Sequence, residues 1–279
     1  MTTRDPRPAD RATSMLELLT LEPLDRDLFR AVNQVTTPKA SRLFGGQVAA
    51  QALRAAAMTV ADDRLPHSMH GYFLRMGTPD LPVILRVERD RDGRSFSARR
   101  VVALQRGEVI FDLSASFHVR EDGAQFVPAA PATPFTPSEY PSDPWSPQHP
   151  CAEARAVPPT RPSPEGPHVA SRMWTRITER LPDDPVLHAC ALTYMSDFGS
   201  GFAGVDNPNM PAGGSSIDHS IWFHHAIRAD EWTLLDMWPL KAGHARGLYA
   251  GSMHSVSSEA DGVLGLMFTQ EFLMRSPRS

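Results

Sequence analysis

The sequence predicts an α+β fold made of two similar halves, and three observations predict it. Thirteen of the chain's 26 prolines fall between Pro128 and Pro167, a density that excludes helix interiors and central strands. On each side of that stretch, one helical segment is followed by a run of strand-like segments, the order of an α+β chain with an internal duplication. The first helical segment consists almost wholly of small residues, so another layer can close around it. The 279 residues therefore divide into a flexible tail at 1–14, an N-terminal unit at 15–127, a proline-rich linker at 128–168 and a C-terminal unit at 169–279.

Taken in order, Ser14 can cap a short helix, with Glu17 at the capping-box position ahead of Leu18 and Leu19. The segment from Gly45 to Met58 is a helix by propensity. Strand-like runs follow at 67–75, 81–89, 95–104 and 109–119, divided by the turn signals Gly77-Thr78-Pro79-Asp80, Asp92-Gly93 and Arg106-Gly107. The second half opens with a strand near 169–177. Asp184 then caps a helix that has Pro185 in its first position and ends near Gly199. Four more strand-like runs, at 217–227, 232–240, 247–254 and 263–274, complete the repeat.

Composition narrows the functions. The 28 basic and 32 acidic residues give a net charge of −4, without the basic footprint of a nucleic-acid or anionic-membrane binder. No apolar run reaches the roughly 18 residues of a membrane span, and the start has no signal-peptide core. Cys151 and Cys190 lack metal spacing and predict no disulfide framework, so a reducing cytoplasm is the expected compartment. Only Lys39 and Lys241 are lysine, so any phosphate is expected to meet arginine forks. The G-x-G-x-x-G string from Gly199 to Gly204 follows a helix and precedes Pro208, the wrong context for a dinucleotide loop. There is no G-x-S-x-G elbow or Walker loop. His67 and His70, three apart on a strand, point to opposite faces, and no metal or other cofactor is expected.

Several strings then resemble the acyl-CoA thioesterase II (TesB-like) family. They are Leu43-Phe44-Gly45-Gly46-Gln47-Val48, His67-Ser68-Met69-His70-Gly71-Tyr72-Phe73-Leu74-Arg75, Arg91-Asp92-Gly93-Arg94-Ser95-Phe96-Ser97-Ala98-Arg99-Arg100-Val101 and Ser114-Ala115-Ser116-Phe117. In the second half they are Tyr194-Met195-Ser196-Asp197, Ile217-Asp218-His219-Ser220-Ile221-Trp222-Phe223-His224, Arg246-Gly247 and Gln270-Glu271. The resemblance spans residues 15–275 and implies a double hotdog: two tandem units, each a helix wrapped by a curved antiparallel sheet. It also implies hydrolysis of acyl-CoA to a free fatty acid and CoA, with an Asp, a Gln and a Thr holding one water.

Carried over by motif, the Asp falls on Asp218 and the Gln on Gln270. The family's Thr position falls on Leu240, and no Ser or Thr occurs from Leu234 to Tyr249. Lys241 and His244 are candidates to compensate. Arg94, Arg99 and Arg100 are candidates for the CoA phosphates, because a guanidinium fork matches phosphate geometry. A carboxylate such as Asp218 can take a proton from water, and the Gln270 amide can orient that water. Leu240 keeps a second reading open, a non-catalytic or weakly active acyl-CoA-binding protein. A third, an enoyl-CoA hydratase, would need a His–Asp pair, which adjacent His219 and Asp218 cannot form on a strand. The expected partners are acyl-CoA and further copies of the chain as a homo-oligomer, with no nucleic acid.

Overall fold

The computed structural model describes residues 11–34, 42–124, 126, 137–142, 149–157, 171–203, 205, 214–255 and 262–275. Most of the expected tail, Lys39, Gly204, Pro208 and much of the proline-rich stretch lie outside the described residues. The N-terminal half contains β1 (Arg11–Ala12), α1 (Met15–Leu19), β2 (Glu22–Asp25), β3 (Leu28–Ala31), β4 (Asn33–Gln34), α2 (Gly45–Ala57), β5 (Arg64–Phe73), β6 (Val83–Asp92), β7 (Phe96–Gln105) and β8 (Glu108–Val119). After a 3-10 turn at Pro137–Glu139 come β9 (Ala152–Val157), β10 (Ser171–Ile177), α3 (Pro185–Ser196), β11 (Ser215–Ser216), β12 (Asp218–Phe223), β13 (Thr233–Gly243), β14 (Arg246–Ser255) and β15 (Leu264–Leu273).

The expected caps form. The Ser14 side chain accepts from the Glu17 N–H, while the Glu17 carboxylate accepts from Thr13 rather than from the cap residue. Asp184 accepts from the N–H groups of Val186 and Leu187, with Pro185 opening α3. The β7–β8 turn has both Arg106 (φ 53°) and Gly107 (φ 81°) in the left-handed region, the geometry that matches the twist of a tight hairpin. His244 (φ 52°) and Ala245 (φ 58°) make a turn of the same kind between β13 and β14.

One continuous antiparallel sheet runs β2-β3-β6-β7-β8-β5-β12-β15-β14-β13-β10-β9. Its order reads the same outward from the β5–β12 junction in both directions, with β2 matched to β9 and β3 to β10. The linker boundary at 168 is therefore corrected. Ala152–Val157 pairs with β10 and belongs to the second half. Prolines surround this segment but do not enter it, so density alone hid a strand.

The small residues of α2 have the expected consequence. Ten of its 13 residues are buried, with only Gly45, Arg54 and Ala57 outside that set, and the helix lies against β5, β6, β7 and β8. One hydrophobic cluster draws on both halves, including Leu53, Met69, Tyr194 and Ile221. At about 25 cal/mol per Å2 of apolar surface, burial of such side chains is the main stabilising contribution, and its continuity fuses the halves into a single folding core.

Candidate active site

The helix ends bring the polar groups together. Asp197 is the C-cap of α3, and its Oδ2 accepts from the Gly46 N–H at 2.7 Å, at the start of α2. Glycine is required on both approaches. A Cβ on Gly45 would stand 2.8 Å from Asp197 Oδ2, and one on Gly46 would stand 2.5 Å from the Tyr194 carbonyl. Phe44 packs edge-on against Tyr194, with ring centroids 5.0 Å apart. Tyr194 in turn donates its hydroxyl to Gln34 Oε1 at 2.7 Å. These contacts fix the end of α3 against the start of α2.

Gln270, on β15, is 2% exposed. Its Nε2 donates to Asp197 Oδ1 at 2.8 Å and to Ser216 Oγ at 2.5 Å. With both donor directions spent, its Oε1 is buried and makes no well-formed hydrogen bond among the described residues, although the His219 imidazole opposite it lies close enough to interact. An acceptor left in that state costs free energy unless something donates to it. A water between it and the carboxylate would satisfy it. Beneath the amide, buried His219 shares a 2.8 Å hydrogen bond with Ser196 Oγ.

Electrostatics sets the protonation states. Burial pushes the Asp197 carboxyl up to about 6, opposed by the hydrogen bonds from Gln270 and the Gly46 N–H, the charge of Arg42 and the Ser216 hydroxyl. The positive end of α2 also faces this carboxylate. Near neutral pH the group is thus mostly ionised and more basic than an ordinary aspartate, which suits a general base. Burial pulls His219 down to about 4, so it stays neutral. Among the described residues no cluster of three or more His, Cys, Asp or Glu side chains could hold a metal ion.

Comparison with known proteins fits this geometry. The family model described as acyl-CoA thioesterase N-terminal domain matches residues 34–118, and the acyl-CoA thioesterase model matches residues 149–271. Human acyl-coenzyme A thioesterase 8 is 36% identical over 298 residues, covering 97% of this chain and 92% of that protein. The crystal structure of acyl-CoA thioesterase II TesB2 from Mycobacterium marinum has a TM-score of 0.80 at 38% identity, covering 95% of this chain and 99% of that one. The chain belongs to the TesB-like acyl-CoA thioesterase family. A hot dog fold protein from Alicyclobacillus acidocaldarius, 19% identical with a TM-score of 0.76 and coverage of 95% and 98%, supports the fold alone. The double hotdog expected for a TesB-like chain is the architecture observed.

Within this TesB-like framework, several expected positions move. Asp218 does not join Gln270. Ser220 pairs with Thr269, so two residues back Asp218 stands opposite Glu271, whose N–H it binds at 2.8 Å. Directly paired residues share a face and neighbours on a strand do not, so Asp218 and Gln270 lie on opposite faces. The same alternation sends His219 inward, away from Asp218, so these two do not form the His–Asp pair a hydratase needs. Leu240 is 49% exposed at a strand irregularity between Pro239 and Lys241. Lys241 is exposed, and His244 is a turn residue. None of the three reaches Gln270; the hydroxyl beside it is Ser216.

The arginine expectations divide. Arg99 is 1% exposed and donates to Thr59 Oγ1 and O, the Arg91 and Ala98 carbonyls and Asp92 Oδ1, so no donor is left for a phosphate. Arg100 is exposed and paired with Glu88 and Asp90. Arg94 is exposed beside the β6–β7 turn. Two site residues escape a role in the motif reading, Asp197 and Ser216, although both stand in quoted or neighbouring strings. One signal could have flagged Asp197: a carboxylate at a helix C-terminus opposes the helix dipole and is held there for another reason.

Proposed function

We propose that this chain hydrolyses acyl-CoA thioesters to a free fatty acid and CoA with a water activated at Asp197, Gln270 and Ser216. The observation that carries the reading is the buried Asp197 carboxylate of raised basicity, bonded to the Gln270 amide beside Ser216. Asp197 accepts a proton from the water as its oxygen bonds to the thioester carbonyl carbon. The carbonyl becomes an oxyanion facing the α2 N-terminus, whose backbone N–H groups favour negative charge. The oxyanion then collapses, the carbon–sulfur bond breaks, and the CoA thiolate takes the proton back from Asp197. Ser216 and Gln270 hold the water in line, and positioning matters most because a thioester is already activated.

Human acyl-coenzyme A thioesterase 8 and the M. marinum TesB2 carry this activity in their names, and their similarity along nearly the whole chain supports the same substrate class here. The weakly active alternative rested on Leu240. Ser216 beside Gln270 supplies a hydroxyl and supports hydrolysis over that alternative. Two finer points complete the proposal. The unbonded, buried Cys151 and Cys190 suit a reducing cytoplasm. Exposed Tyr72 and Trp222 on the paired strands β5 and β12 suit contact with another copy in a homo-oligomer. No helix among the described residues is long and apolar enough to cross a membrane.

The test compares Asp197→Ala with Asp218→Ala in a thiol-release assay on octanoyl-CoA. Asp197→Ala should lower kcat about 10²- to 10⁴-fold, the usual contribution of a general base, and Asp218→Ala should stay within about tenfold of the parent. The reverse ranking would overturn the assignment.

A further inference from the structure

The strand register relates the two halves by a local dyad. Asp218 faces Tyr72, Ser220 faces His70 and Trp222 faces Ser68, so the axis passes between Ser220 and His70. Under that operation Ser216 corresponds to Pro66, and each stands opposite a phenylalanine, Phe272 and Phe117. His70 pairs with Ser114 and Ser220 with Thr269, so Gln270 corresponds to Ala115. Asp197 caps α3 where Met58 caps α2. The second site therefore holds Met, Pro and Ala where the first holds Asp, Ser and Gln. Its helix start is closed as well: Pro185 has no N–H, and Asp184 already occupies the next two. Met58, Pro66 and Ala115 cannot activate water, and the first N–H groups of α3 are already taken.

A cavity of about 240 Å3 nevertheless opens at that place, between the start of α3 and the ends of β5, β8 and β12. Four of its lining residues are imidazoles, His67, His118, His224 and His225. The dyad counterparts of His67, His118 and His224 at the first site are Ile217, Leu273 and Leu74, all apolar, while that of His225 is Arg75. The second site has thus exchanged its catalytic groups for hydrogen-bond donors, since an imidazole offers an N–H in either charge state. Leu65, Leu192 and Phe223 supply apolar wall. His67 binds Ser116 Oγ at 2.7 Å, and His118 stacks on Phe96 with ring centroids 4.2 Å apart, so both rings are held in place.

We propose that this cavity is a second, non-catalytic site that binds the free carboxylate of an acyl chain. Apolar wall beside clustered imidazoles calls for an amphiphile, and a small inorganic anion would leave that wall wetted. Arg120 and Glu121 both line the cavity, and with Glu121 3.4 Å from His118 the opposite charges offset and favour a singly charged head over a phosphate. The volume corresponds to about eight waters at roughly 30 Å3 each, space for one short or medium chain. The choice of an acyl carboxylate rests on the thioesterase reading, because that reaction releases one.

Equilibrium dialysis of labelled octanoate tests the site, using the whole chain saturated with S-octyl-CoA, a thioether that fills the hydrolytic site and cannot be cleaved. About one octanoate per chain should remain bound, and His67→Leu combined with His224→Leu should weaken it about tenfold or more. Independently of any variant, the His67 and His224 ring resonances of the parent protein should shift as octanoate is added. Complete displacement by the thioether, unchanged affinity in the double variant, or unmoved rings would each overturn the proposal. A chain that hydrolyses acyl-CoA but binds no octanoate beside the thioether refutes this site alone. A chain that binds octanoate at His67 yet cleaves no acyl-CoA refutes the hydrolytic reading alone.

Discussion

Replacing Asp197 with Asn should make stability and activity move in opposite directions as pH changes. In the folded chain the carboxyl is pushed up to about 6, against an ordinary value of 3.8, chiefly by burial. A folded-state value above the unfolded one means the folded state holds its proton longer. That contribution to stability is present below about pH 4 and is lost as pH rises through about 6. The gap of roughly two pH units corresponds to about 3 kcal/mol of destabilisation once the group is ionised in both states. Asn cannot ionise and escapes this loss. It also turns an amide N–H2 toward one of the donors, Gly46 N–H or Gln270 Nε2, a mismatch of about 1–3 kcal/mol that does not vary with pH. Urea melts of parent and Asp197→Asn at pH 4.5 and pH 8 separate the two effects. The stability of the variant relative to the parent should improve by about 2 kcal/mol between those pH values. Over the same range the parent's kcat/KM should rise toward a plateau above about pH 6, while the variant stays at least about a hundredfold lower. A stability difference that is the same at both pH values would refute the raised basicity of Asp197, and with it the reason for choosing it as the base.

Four other outcomes follow from the geometry. Ser216→Ala removes a partner of Gln270 and should lower kcat about ten- to a thousandfold, by comparison with single hydrogen-bond deletions at reacting centres. Leu240→Thr should leave turnover within about twofold, and a large gain there would restore the motif assignment. Gly46→Ala drives a Cβ to 2.5 Å from the Tyr194 carbonyl. It should cost about 1–3 kcal/mol in a thermal melt and lower kcat more than it changes KM; an unaffected kcat would mean that the Gly46–Asp197 contact does not matter to the reaction. Arg99→Met strands the Thr59 and Arg91 carbonyls it serves and should destabilise the fold by about 3 kcal/mol with KM for acyl-CoA unchanged. A raised KM without loss of stability would return Arg99 to the phosphate site.

Local signals carried much of the architecture. Ser14 and Asp184 cap the helices they were expected to cap, because capping depends on the residues of a single turn. The strands around Asp92-Gly93 and Arg106-Gly107 lie within a few residues of their expected bounds for the same reason. β9 escaped notice because a six-residue strand at a sheet edge has little pattern of its own and prolines flank it. The site was half legible. Gln270 is an amide in an otherwise apolar strand, which marks it as a group needing a partner.

The sequence by itself determined two helix-plus-strand halves, the small-residue helix, the absence of nucleotide and serine-hydrolase motifs, and the family through its strings of residues. Only the tertiary structure decided which acid faces Gln270. Strand alternation puts Asp218 on the outer face with Glu271, while the close crossing of α2 and α3 at Gly46 carries Asp197, 73 positions earlier in the chain, to within 2.8 Å of the amide. Spacing along a chain encodes faces of a single element. It does not encode which helix end meets which strand, because that depends on how two elements pack across the core.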